Sequence, residues 1–279
     1  MSKLSKAVTI LKTLITNPKS ILTVLEHEDN FRKLVQQKHP SCSSGLPVLN
    51  LLDLFPGMHE TVSPYSFLDG TSLPSDLALL KMLARKFPDC AYLEIGTWRG
   101  ESVANVAAVA KECITINLPD DEMRTRGLPE KYIQLHRFFS EHLPNVKHIQ
   151  HHSSTFDFST FDKKFDLIFV DGDHHYDQVK TDTNNVFQLL RNEDSVIVWH
   201  DYARNPEQVR YEVLAGILAG CPAEFRNNLF HVSNTLCAFF TRKKYPARFF
   251  VPYSKPDNVF ELTITGKKTG QRSDETRHV

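Results

Sequence analysis

Two apolar runs of this sequence end on residues that can bind a cation or move a proton. FDLIFVDG (165–172) opens into Asp171-Gly-Asp-His-His-Tyr-Asp177, and SVIVWHD (195–201) closes on His200-Asp201. If the two runs are neighbouring parallel strands, Asp171, His200 and Asp201 meet at one sheet edge. Two carboxylates and an imidazole placed so can hold a divalent cation. Imidazole is a poorer magnesium ligand than carboxylate, so manganese, iron and zinc stand beside magnesium as candidates. His174 lies three residues past Asp171 and can act as a base near neutral pH. The plain alternative is that Asp171 and Asp201 cap helices and the histidines belong to a solvated loop. Asp177 reads as a first-turn acid of the following helix, and His148 as structural.

A third run, Glu94-Ile-Gly96-Thr97-Trp-Arg-Gly100-Glu-Ser102, offers different chemistry. It follows a short apolar strand, where Gly96 permits a tight turn and Gly100 a close backbone approach at a helix start. The first N–H groups of that helix suit a carboxylate or phosphate. The glycine spacing is not G-x-G-x-x-G. A carboxylate ahead of the first glycine suits a cationic ligand better than a pyrophosphate. A β-turn-α connection without any ligand is the plain alternative.

The elements that must position these residues alternate. Strands are expected at 91–96, 113–118, 146–153, 165–172 and 195–201, and helices at 102–112, 130–143, 176–190 and 206–220. Continuous apolar strands alternating with helices predict a parallel sheet buried on both faces. Two last strands, near 227–232 and 235–242, are joined so shortly that they must be antiparallel. The fold class is α/β: Rossmann-like and doubly wound, with a mostly parallel sheet, an antiparallel C-terminal strand pair and an N-terminal helical extension. The expected division is 1–75 as helical extension and lid, 76–245 as the Rossmann-like domain, and 246–279 as C-terminal extension and polar tail. Ser75 is the expected cap of a helix over DLALLKMLARKF.

LEIGTWRGES resembles the first motif of class I S-adenosylmethionine-dependent methyltransferases, especially the catechol O-methyltransferase-like branch. FDLIFVDGDHHYD and SVIVWHDY resemble the bacterial family that includes the macrolide sugar O-methyltransferases. Together the likeness covers roughly residues 90–242. It implies S-adenosylmethionine as cofactor, with Glu94, Gly96 and Gly100, flanked by Thr97 and Ser102, at its methionine end. It implies Asn117 at the ribose, where the family generally has an acid, with Asp120 and Asp121 as substitutes. His152 and Ser153 are implied near the adenine. It further implies a divalent metal on Asp171, His200 and Asp201, binding the acceptor hydroxyl, and His174 as the group that deprotonates it.

The expected function is therefore metal-assisted O-methylation of a sugar or other small molecule. Two rivals come from other classes: a non-haem metal oxygenase using Asp171, His174 and His200, and a non-catalytic binding module. The acceptor pocket is expected from residues 55–72 and the segment after Asp201.

Bulk properties narrow the classes. The 279 residues are 41% hydrophobic and 24% charged, with a formal net charge of +0. That composition is ordinary for a globular protein, and nucleic acid is not an expected partner. Five cysteines, an odd number without C-x-x-C spacing, argue against a disulfide framework or structural zinc and fit a reducing cytoplasm. No uninterrupted apolar stretch is long enough to span a membrane. Residues 1–38 have apolar positions near helical spacing with lysines among them. They read as a helix packed on the domain or on a second subunit in a homo-oligomer, or, through residues 1–25, as a peripheral membrane contact.

Overall fold

The computed structural model describes residues 18–269. Residues 1–17 of the expected N-terminal helix, and the last ten residues of the polar tail, lie outside the described residues.

The first helix, α1 (Pro18–Lys38), packs on the late helix that precedes the final strands. Val48–Leu49 then forms strand β1, so part of the expected connecting segment joins the main sheet as an edge strand. The chain continues through α2 (Leu51–Leu54), α3 (Pro74–Arg85), β2 (Ala91–Ile95), α4 (Glu101–Ala107) and β3 (Glu112–Asn117). Two short helices, α5 (Asp120–Thr125) and α6 (Glu130–Ile133), lead to β4 (Val146–Gln150). Next come β5 (Leu167–Val170), α7 (Tyr176–Phe187) and β6 (Val196–Trp199). A small hairpin of β7 (Ala203–Asn205) and β8 (Gln208–Val209) precedes α8 (Tyr211–Gly220), and β9 (Leu229–Val232) and β10 (Ala238–Phe240) end the pattern.

The sheet order is β1-β9-β10-β6-β5-β2-β3-β4. All pairs are parallel except those of β10, which runs antiparallel to β6 and β9. Both expectations, a mostly parallel sheet and an antiparallel last pair, hold. Alternate strand residues point to opposite faces. Leu93, Ile95, Ile168 and Ile197 join a cluster with Val179, Val186, Leu214 and Ile217 of α7 and α8. Tyr92, Leu167, Phe169 and Val198 join one with Leu79, Leu83, Val103 and Val106 of α3 and α4. Burial on both faces is why these strands read as continuous apolar runs.

Four local expectations need correction. The helix expected at 130–143 stops at Ile133. The backbone N–H groups of Arg137 and Phe139 donate instead to the carbonyls of Trp98 and Arg99, and Arg137 takes a positive φ of 68°. Tertiary hydrogen bonding thus overrides a helical pattern. The helix expected from 206 begins at Tyr211, because Asn205-Pro206 turns the β7–β8 hairpin. The helix expected at 102–112 ends at Ala107. Ser75 does not cap α3: its hydroxyl donates to the carbonyl of Asn234, while Asp76 accepts the N–H of Leu73 at 2.7 Å.

Candidate functional site

The chain runs from β2 outward to β3 and β4, then returns to β5 on the other side of β2. That reversal makes a switch point, where open parallel sheets bind ligands beyond the carboxyl ends of their strands. A cleft of about 670 Å³ lies there. Ile95, Ile116 and Leu118 give it apolar walls, and the turns after β2, β3, β4, β5 and β6 supply its polar groups.

Gly96 follows β2 with a φ of +91°, and a Cβ there would stand 2.0 Å from the carbonyl oxygen of Asp171. The glycine is needed because the turn after β5 presses on the turn after β2, which brings Asp171 to the cleft. Gly100 caps α4 in the left-handed region, and a Cβ there would meet the Ser140 hydroxyl at 2.2 Å. Its close approach is therefore to another part of the chain.

The structure brings Gly96, Thr97, Asn117, His152, Ser153, Asp171, His174, His200 and Asp201 around the one cleft. Glu94, Gly100 and Ser102, expected beside the cofactor, stand outside its lining. Glu94 is completely buried. It accepts from the Tyr92 hydroxyl at 2.7 Å, the Ser102 hydroxyl at 3.0 Å and the Thr97 hydroxyl at 3.5 Å. Burial pushes its carboxyl up to about 8, with the Asp171 charge adding to the rise against those hydroxyl donors. Ser102 is thus spent on Glu94.

Asn117 ends β3, and its carbonyl oxygen accepts the N–H of Thr97 at 3.1 Å. Its proposed acidic substitutes are engaged elsewhere. Asp120 makes two 3.0 Å bonds to the Arg137 guanidinium, and Asp121 pairs with Arg124 at 2.7 Å. His152 takes the N–H and hydroxyl of Ser154 on Nδ1, and the Ser153 hydroxyl accepts from Gln178.

Asp171, His200 and Asp201 converge. Nδ1 of His200 lies 3.2 Å from Asp171 Oδ1 and 3.1 Å from Asp201 Oδ2. These three residues can offer one ligand atom each within 4.8 Å of one another. Burial opposes a charge on His200, but Asp171, Asp201 and Asp76 outweigh it and hold the imidazole well above its usual range. Arg210 stands 3.4 Å from the other Asp201 oxygen. His174 places Nε2 3.2 Å from Asp201 Oδ2, whereas His175 turns to Asp173. Adjacent residues separate in direction as the spacing requires.

Two features escaped the sequence reading. Asp76 is fully buried and bonds Nε2 of His200 at 3.1 Å. An aspartate in a helix's first turn carries no signal of that contact. Trp98, Tyr132 and His136 pack together beside the cleft, with Trp98 and Tyr132 ring centroids 4.3 Å apart. Trp98, within the glycine-bearing turn, was the available hint. Of the segment 55–72, expected to build the acceptor pocket, Asp69, Gly70 and Thr71 reach the cleft, because Arg99 holds the Asp69 carbonyl and the Thr71 hydroxyl.

Residues 93–202 match the family model described as a methyltransferase domain. The sheet order and the switch-point cleft of this segment are the architecture that a match to a methyltransferase domain calls for. Over 130 residues the chain is 32% identical to an uncharacterised protein of Acanthamoeba polyphaga mimivirus, a match covering 44% of this chain and 58% of that one. The chain thus spans little more than half of the curated relative's length. Among solved structures it is similar to an O-methyltransferase from Bacillus cereus in complex with S-adenosylhomocysteine. That likeness has 16% identity, covers 60% of this chain and 79% of the other, and has a TM-score of 0.42. A cofactor-bound protein from MTB is similar at 16% identity, over 63% and 84% of the two chains, with a TM-score of 0.46. The N-methyltransferase NodS from Bradyrhizobium japonicum, in complex with S-adenosyl-L-homocysteine, is similar at 18% identity over 45% and 61%, with a TM-score of 0.35. The assignment rests on the domain match and the sheet, not on these likenesses. Among the described residues, no helix is long and apolar enough to cross a membrane.

Proposed function

We propose that this chain methylates a hydroxyl of a small-molecule acceptor from S-adenosylmethionine, with a divalent cation at Asp171, His200 and Asp201 and with His174 as base. The observation that carries the reading is the meeting of two carboxylates within 3.2 Å of His200 Nδ1 at the switch-point cleft. The donor set fits a cation: two carboxylate oxygens and one imidazole nitrogen face each other, and the far nitrogen of the imidazole is already held by Asp76. With an imidazole in the set, manganese, iron or zinc fits as well as magnesium. Bound there, the ion would lower the pKa of the acceptor hydroxyl.

The chain's own residues supply alignment and the proton's destination. Ile95, Ile116 and Leu118 offer an apolar bed, with Asn117, His152 and Ser153 as polar partners, which suits an adenosine. Holding donor and acceptor in line is the main contribution a protein can make to such a transfer. His174 Nε2, beside the Asp201 carboxylate, can accept the hydroxyl proton, and the carboxylate stabilises the resulting imidazolium. A sugar hydroxyl is the acceptor the sequence resemblance favours. An oxygenase centre of two histidines and one carboxylate is not what the geometry assembles, because His174 stands outside the three-residue set.

The test is steady-state turnover with calorimetry. His174→Ala should lower kcat about a hundredfold or more with S-adenosylhomocysteine affinity unchanged. His175→Ala should cost far less, since Asp173 already occupies its imidazole. Chelator should stop turnover, and a divalent ion should restore it. Full turnover in excess chelator removes the metal from the mechanism, and wild-type turnover in His174→Ala removes the base.

A further inference from the structure

Asp76 is placed to do more than begin a helix. Its Oδ2 accepts the N–H of Leu73 at 2.7 Å and faces His200 Nε2 at 3.1 Å. Its Oδ1 accepts the N–H of Leu236 at 2.8 Å, with the Cys237 thiol at 3.6 Å. Helix capping uses only the first of these contacts. The others tie α3 to the β9–β10 turn and to the end of β6, with the carboxylate wholly shut from solvent. A buried carboxylate needs its lone pairs filled, and here an imidazole N–H fills one of them. Nε2 of His200 is thereby the nitrogen that carries hydrogen toward Asp76. Nδ1 is the nitrogen that faces Asp171 and Asp201.

We propose that Asp76 is a positioning residue: it fixes the ring orientation and tautomer of His200 so that Nδ1 is offered as the cation ligand. This rests on the metal reading of the preceding subsection. A carboxylate behind a ligating histidine orients the ring and raises the basicity of the opposite nitrogen, and losing it typically weakens metal binding 10–100-fold. Asp76 thereby compensates for an imidazole standing where a carboxylate would be the stronger ligand for a hard ion. In Asp76→Asn one of two faults follows. Either the amide nitrogen takes the Oδ2 place, where it opposes the N–H of Leu73 and forces hydrogen onto Nδ1 of His200, or it takes the Oδ1 place and opposes the N–H of Leu236.

The experiment titrates Mn2+ into full-length wild type and Asp76→Asn, followed by electron paramagnetic resonance, with S-adenosylhomocysteine affinity measured on the same samples. Wild type should bind Mn2+, and Asp76→Asn should bind it 10–100-fold more weakly with the adenosyl ligand bound as before. In parallel, 15N NMR of Zn2+-loaded wild type should show His200 protonated at Nε2 and metal-bound at Nδ1. That second measurement needs no variant and survives if Asp76→Asn fails to fold. Equal Mn2+ affinity in the two proteins, or metal on Nε2, overturns the role of Asp76 alone. Wild type that binds no Mn2+ or Zn2+ overturns the metal reading itself, and the inference with it.

Discussion

Glu94 shows what a single residue conceals in sequence. All five residues of β2 are buried, so the two-residue period that separates faces of a half-buried strand gives no sign of which side an acid takes. The acid before Gly96 read as facing a cationic ligand, yet it is buried outside the cleft lining among three hydroxyl donors. Its carboxyl is pushed up to about 8 in the fold, against about 4.5 when exposed. Between those values the folded chain holds the proton more often than the unfolded chain, so stability falls as pH rises through that window. Below it both states are protonated and nothing is lost; above it the full cost of the buried charge is present. At about 1.4 kcal/mol per pH unit, the whole change is on the order of 5 kcal/mol. Glu94→Gln keeps a neutral hydrogen-bonding group there and should flatten this slope. Calorimetric unfolding of both proteins from pH 5 to 9 checks it. A difference in Tm that stays constant over that range would mean Glu94 is ionised throughout. Asp171, His174, His200 and Asp201, by contrast, were legible, because each follows an apolar strand whose end must reach the cleft.

At the scale of elements, sequence showed strands better than the segments between them. A strand's apolar run is set by burial on both faces, and its neighbours change little of that. Residues 130–143 and 55–72 depend on what they touch. The expected lid is a case in point, for polar side chains of α3 and α4 rivet it. Asn105 accepts the N–H of Ser63 at 2.8 Å and donates to the carbonyl of Pro64 at 2.9 Å. Glu101 accepts the N–H of Ser66 at 2.8 Å, and Lys81 donates to the carbonyl of Thr61 at 2.6 Å. Asn105 itself is fully buried. Asn105→Ala removes the partner of the Ser63 N–H and of the Pro64 carbonyl, costing about 0.5–1.5 kcal/mol for each bond lost. The expected result is a lowered Tm and faster proteolytic nicking at 63–72, with the rest of the chain protected. Unchanged cleavage there would show that Arg99 and Glu101 hold the segment without Asn105.

For the whole molecule, the polar groups of the cleft divide between two sides of the switch point. The acids and histidines of β5 and β6 stand on one side, and Asn117, His152 and Ser153 of β3 and β4 on the other. Ligand chemistry should divide in the same way, with the adenosyl group on the β3–β4 side and the cation on the β5–β6 side. A ligand that binds only the folded chain stabilises it by about 2.7 kcal/mol at a hundredfold excess over Kd. In a chain of this size that raises Tm by roughly 5–10 °C. S-adenosylhomocysteine, expected to bind in the micromolar range, should therefore give a clear shift at submillimolar concentration, and the shift should persist in chelator because its contacts avoid Asp171, His200 and Asp201. NAD should give none. The turn after β2 lacks the glycine spacing that lets a backbone approach a pyrophosphate, Gly100 is filled against Ser140, and Asp171 and Asp173 set negative charge on the cleft wall. A thermal-shift series with S-adenosylmethionine, S-adenosylhomocysteine, NAD and Mn2+, each with and without chelator, reads all of this at once. An adenosyl shift that vanishes with chelator would mean the two sides are one site, and a shift with NAD alone would overturn the assignment of the cleft.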